Sequence, residues 1–280
     1  MVDFSKEQLE ARDWVKVRAS TDDSQSFMTW VGSVYSVEPG ERKQHLFQIL
    51  GMNAARCIAN PEGGWDFASR ELTFYLDPKT GEVLRKWKNP WTEEMLPVVH
   101  VANNGVQGNF KGPFSAIVEG ETTVFVFDLF SYYPNPLADD RRFSPYSPQP
   151  IYQATELFKL TVPTAEWQNP EITSVSKTLL GWNRIGPWVP WMKMGDRPGY
   201  LVYSAWGRKV PSFSDLPPLL QEEINTRVPL YKNAPQSQSE IEHMTSWNYF
   251  KKHGSGSQVV MLAQESSDGD RNSGIQRQVK

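Results

Sequence analysis

One stretch, residues 181–209 (GWNRIGPWVPWMKMGDRPGYLVYSAWGRK), constrains the fold more than any other. It carries four of the eleven tryptophans, Trp182, Trp188, Trp191 and Trp206, together with Met192, Met194, Arg184, Arg197 and Arg208. Pro187, Pro190 and Pro198 exclude a helix interior and stiffen the chain. Residues 200–206 then read as a strand. Aromatics, thioethers and guanidiniums at this density suit a concave apolar pocket with a few fixed polar groups. They suit equally a core corner sealed by tryptophan. Under either reading this stretch forms the middle of the protein.

The rest of the chain alternates short β runs with turn signals. Residues 27–37, 44–59, 65–76, 122–132 and 151–162 read as strands, with Gly51 a bend or bulge in the second. The loop at 77–81 (DPKTG) predicts a hairpin, with 83–88 pairing back across it. Residues 96–101 make a further strand, and 103–112 read as a turn region rich in Asn and Gly. Near the start, Ser5 and Gln8 suggest a capping box on a short helix, followed by a strand over 13–18. Residues 216–228 predict a helix on which Leu219, Leu220, Ile224 and Val228 share a face. These signals sum to roughly ten to twelve strands with two peripheral helices. The expected fold is mainly β: one antiparallel β-barrel-like domain over 14–252, after an N-terminal segment 1–13 and before a flexible tail 253–280.

Composition removes several function classes. A net charge of −3 over 280 residues offers no electrostatic basis for binding nucleic acid or an anionic membrane. Cys57 is the single cysteine, so no intrachain disulfide forms. The N-terminus has no apolar leader, and a cytoplasmic location is expected. Phosphate-binding glycine loops, nucleophile elbows and paired metal-ligand spacings are absent, and the four histidines stand apart in sequence. The expectation is therefore no metal and no cofactor.

Candidate site residues follow from the strand pattern. His100, within VVHVAN, points to one strand face while Val99 and Val101 point to the other. An inward His100 would titrate near neutrality and serve as acid or base; a hydrogen-bonded core histidine is the plainer reading. Asn103 follows near the same rim. Tyr75 and Tyr203 offer phenol donors. Arg56 and Arg70 sit in apolar runs and need partners, for which Glu71 and Asp77 are near in sequence. Trp188, Trp191, Met192, Tyr203 and Trp206 are expected to wall a ligand pocket. Tyr203 and Trp206 share a strand face only if Gly207 marks a bulge.

The runs SRELTFYLDPKTGEVLRKWKNPWT, VVHVAN, WNRIGPWVPWMKMGDRPGYLVY and SWNYFK resemble the domain-of-unknown-function family 1838, over roughly residues 14–252. Within it the chain looks like the fungal cofactor-free hetero-Diels–Alderases of tropolonic sesquiterpene assembly. That resemblance implies joining an o-quinone methide tropolone to a humulene-type alkene, with polyketide and terpene small molecules as partners. His100, Arg184 and Tyr203 are then the expected catalytic groups. Trp188, Trp191, Met192, Trp206, Tyr75 and Asn103 are the expected substrate contacts. A lipocalin-like carrier of an apolar metabolite, a cofactor-free lyase, cyclase or isomerase, and an oligomerisation module remain alternatives. A homodimer is among the expected states.

Overall fold

A computed structural model describes residues 6–241 and 244–253. The strands are β1 (Lys6–Leu9), β2 (Ser26–Val37), β3 (Gln44–Ala59), β4 (Trp65–Leu76), β5 (Lys86–Lys88), β6 (Met95–Pro97), β7 (Val101–Phe110), β8 (Phe114–Glu119), β9 (Thr122–Pro134), β10 (Ile151–Pro163), β11 (Leu179–Gly186) and β12 (Tyr200–Val210). The helices are α1 (Ala11–Arg18), α2 (Thr164–Gln168), α3 (Pro218–Arg227) and α4 (Ser246–His253). Ten strands form one antiparallel sheet in the order β1-β8-β9-β10-β11-β12-β2-β3-β4-β7, while β5 and β6 pair in a separate ribbon. The sheet curls into a half-barrel, which is the mainly β, barrel-like architecture expected from the sequence.

Strand alternation sorts side chains onto two faces. The inner face carries Phe67, Glu71 and Tyr75 of β4, Trp30 and Val34 of β2, Tyr203 of β12, Arg184 of β11 and Glu156 of β10, as the cross-strand registers require. The outer face of β2, β3 and β4 buries Phe27, Leu50, Met52, Leu72 and Phe74 beneath Leu220 and Ile224 of α3. The helical spacing at 216–228 therefore identified a helix that covers the sheet from outside.

Both ends of the curled interior are plugged. At one end α1 inserts Trp14, whose ring meets Phe110, Phe114, Phe125 and Phe127 at centroid distances of 5.1 to 6.0 Å. Lys209, inward on β12, donates from Nζ to the carbonyls of Lys16 and Ala19 and to Ser174 Oγ, so it ties down carbonyls that the end of α1 leaves without helical partners. At the other end Trp191 packs on Phe47, Tyr75 and Trp87, and Trp188 on Trp91. Asn89 braces that plug by donating from Nδ2 to the Met192 carbonyl at 3.0 Å.

Several local expectations are corrected. Residues 13–18 are helical, and Lys6–Leu9 is a strand paired to β8. An edge of the sheet was available to those residues, and a helical turn buries Trp14, Val15 and Val17 together. Ser5 lies outside the described residues, as does the stretch from 254 onward. Residues 103–110 continue β7 against β4, and the extra residue of the register shift lies in β7 at Asn104 and Gly105, opposite Arg70. The expected hairpin at 77–81 forms, with Gly81 at φ +75° and backbone hydrogen bonds from Asp77 N–H to the Glu82 carbonyl and from Leu84 N–H to the Tyr75 carbonyl, but the returning strand pairs only around Val83, and residues 86–88 form β5 against β6. Neither Gly51 nor Gly207 is a bulge, since the registers run through both. They make room for Trp30: a Cβ at Gly51 would sit 2.2 Å from Trp30 Nε1, and one at Gly207 would sit 3.0 Å from Trp30 Cβ.

Candidate functional site

Between the two plugs the inner face carries polar and charged groups on seven neighbouring strands, β10 through β7 in the sheet order. Glu71 (β4) pairs across the sheet with Asn53 (β3) on one side and Asn103 (β7) on the other. Trp30 lies across the floor, over Gly51 and beside Thr73. On the facing wall, Arg184 Nη2 donates to Tyr152 Oη at 2.8 Å, and Arg184 Nε lies 3.8 Å from Glu156 Oε1. Glu156 Oε2 accepts from Trp182 Nε1 at 2.9 Å. The Arg184 guanidinium sits 5.1 Å from the Tyr203 ring centre, and the Tyr203 and Tyr75 hydroxyls are hydrogen-bonded at 3.2 Å.

The groove opens at β9. Phe127 and Leu129 lie on the inner face, opposite Phe158 and Glu156, yet Leu129 is 52% exposed. An apolar rim thus leads to a polar interior, the usual form of a small-molecule site. Three buried polar atoms on or facing this inner surface have no hydrogen-bond partner among the described residues: Asn53 Oδ1, Trp30 Nε1 and Arg18 Nη1. Buried polar groups are normally paired, so a ligand or water is their natural complement.

Electrostatics separate the roles. Burial, helped by the Glu156 charge and opposed by Arg18, pushes the Glu71 carboxyl up to about 7. Burial alone would lower the pKa of Arg184, but Tyr152, Tyr203 and Glu156 raise it, so it stays cationic. Burial raises both Tyr75 and Tyr203, which remain protonated donors at neutral pH. The arrangement offers one carboxyl poised between acid and base, a second carboxyl facing it, a fixed cation and two linked phenols.

The structure brings together Tyr75, Arg184 and Tyr203, and sets Asn103 beside Glu71. It separates the others. Trp188, Trp191 and Met192 are core residues of the end plug, behind Tyr75. Trp206 is on the outer face, 63% exposed, because β12 alternates without a bulge. His100 belongs to the sheet edge: its Nδ1 accepts the Tyr75 backbone N–H at 3.1 Å, where β7 no longer pairs with β4. Burial, with Arg85 nearby, lowers its pKa to about 3, so it is neutral at pH 7 and unsuited to the role of acid. Arg70 turns outward to Asn104 Oδ1 and the Asn233 carbonyl, and Arg56 to the Pro235 carbonyl, so neither pairs with Glu71.

Sequence reasoning missed Glu71 and Glu156 as site residues. The usable signal was positional: Glu71 shares the alternation of Phe67, Ser69, Thr73 and Tyr75, a carboxyl at an inward strand position. A separate cleft of about 1060 Å³ lies at the ends of β10 to β12, lined in part by Glu121, Lys177, Arg208 and Asp215, away from this groove. No helix among the described residues is long and apolar enough to cross a membrane. No curated protein matches the chain significantly. A family model does match, over residues 23–254, and the chain belongs to the family described as Protein of unknown function (DUF1838).

Proposed function

We propose that the groove is the active site of a cofactor-free enzyme of secondary metabolism. It would dehydrate a hydroxymethyl tropolone to an o-quinone methide and join that species to a humulene-type sesquiterpene by hetero-Diels–Alder cycloaddition. The supporting observation is Glu71, a carboxyl titrating near neutrality that faces Glu156 inside an apolar-rimmed groove. In the first step the Glu71 carboxyl protonates the benzylic hydroxyl, the C–O bond breaks and water leaves. The adjacent tropolone hydroxyl gives its proton to the Glu156 carboxylate, and a neutral quinone methide remains. The cycloaddition forms one C–C and one C–O bond with no net proton change, and solvent returns the proton from Glu156 to Glu71. Arg184, Tyr152 and Tyr203 supply donors for the tropolone oxygens, which lowers the energy of the electron-poor partner. The groove holds both apolar substrates at reacting distance and so offsets their association entropy.

Turnover of a hydroxymethyl tropolone with humulene tests this reading. Wild type should form the cycloadduct and lose rate as pH rises through about 7, where Glu71 deprotonates. Glu71→Gln should lose the dehydration by roughly 10²- to 10⁴-fold. The variant should still accept a quinone methide generated chemically in the same tube. Binding of both compounds without turnover would instead make the protein a carrier and end the proposal.

A further inference from the structure

The outer face of the half-barrel is covered only in part. Helix α3 lies over β2, β3 and β4. Across β9, β11, β12 and the middle of β2 the outward positions carry Phe130, Tyr132, Leu179, Ile185, Trp206 and Val31, all exposed, with Phe130 at 70% and Tyr132 at 71%. By register they fall on two cross-strand rows, one through Phe130, Thr155 and Ile185 and one through Val126, Lys159, Gly181, Trp206 and Val31, with Asp128, Leu157, Asn183 and Ser204 on the row between. Outward strand positions facing water are ordinarily polar. With their outward apolar neighbours these side chains expose on the order of 800 Å², more than the largest patch of a typical monomer and about one partner's share of a standard interface.

We infer that this face is the interface of a homodimer, in which the outer surface of β9–β12 packs on the same surface of a second copy. The area is sufficient for a stable two-fold contact, and the composition, rich in Tyr, Phe and Trp, is that of an interface core. The charges on the face are also self-complementary. Asp128 and Lys159 are exposed on adjacent rows of β9 and β10, and neither forms an ion pair among the described residues. A two-fold axis running between these rows sets Asp128 of each copy near Lys159 of the other, the reciprocal pairing that an isologous interface requires. The groove opens on the opposite face of the same strands, so dimerisation leaves it accessible, and the inference does not depend on the reaction catalysed there.

Sedimentation equilibrium of the full chain, from low to high micromolar concentration, tests the inference. Wild type should sediment at twice the 32.0 kDa chain mass. Phe130→Lys and Trp206→Glu should each sediment as monomers with the thermal midpoint of the isolated chain retained, since neither side chain is part of the core. Asp128→Lys should weaken the dimer at least tenfold, and adding Lys159→Glu should restore it. A wild type that stays monomeric at high micromolar concentration would overturn the inference, whether another protein or another segment of the chain covers the face. A dimer unaffected by all four substitutions would overturn it equally.

Discussion

Glu71 follows directly after Arg70, and the adjacent opposite charges suggest a pair. On a strand they point to opposite faces, so Arg70 meets amide and carbonyl oxygens outside while Glu71 turns into the groove. A pH dependence follows. Between the ordinary glutamate value of 4.5 and about 7, the folded protein holds a proton that the unfolded chain has released. Stability from this group is therefore complete below 4.5 and falls as pH rises through about 7. Glu71→Gln removes the ionisation. Its melting temperature should match wild type below pH 4.5 and exceed it increasingly from there to mild alkali, as read by calorimetry in a pH series. A constant offset across the series would contradict the burial of this carboxyl.

At the scale of elements, α1 and the tryptophan floor show how tertiary packing overrides local pattern. Residues 13–18 alternate as a strand would, yet a helix lets Trp14 fill the gap between β7 and β8 while Lys16 reaches the Trp167 and Asn169 carbonyls. Trp30 depends on missing side chains beneath it. Gly51→Ala would place a methyl 2.2 Å from Trp30 Nε1 and 2.7 Å from Thr73 Oγ1. Such overpacking should cost about 1–3 kcal/mol in denaturant unfolding. Because the displaced ring is the groove floor, ligand affinity should fall as well. A neutral Gly51→Ala would mean that the floor is not held by Trp30.

For the molecule as a whole, the two faces of the sheet make opposite predictions for one residue type. Trp191→Ala empties the end plug shared by Phe47, Tyr75 and Trp87 and should cost about 3–5 kcal/mol. Trp206→Ala, compared at concentrations where the chain is monomeric, should change stability by no more than about 0.5 kcal/mol. Denaturant midpoints of the two variants decide between this assignment and one with both tryptophans in a single pocket wall. The amino-acid sequence alone determined the β class, most strand positions, the covering helix at 216–228 and the family, because period-two alternation, turn residues and local motifs are properties of neighbours in the chain. It also singled out Tyr75, Arg184, Tyr203 and Asn103 as candidates, and these lie on the inner face of the sheet. The tertiary structure decided which tryptophans are core and which are surface, that His100 serves the sheet edge, and that the Glu71 and Glu156 charges act on one another. Those outcomes depend on how the sheet curls and which edges stay unpaired, and residues 85 positions apart carry no mutual signal until the strands between them have paired.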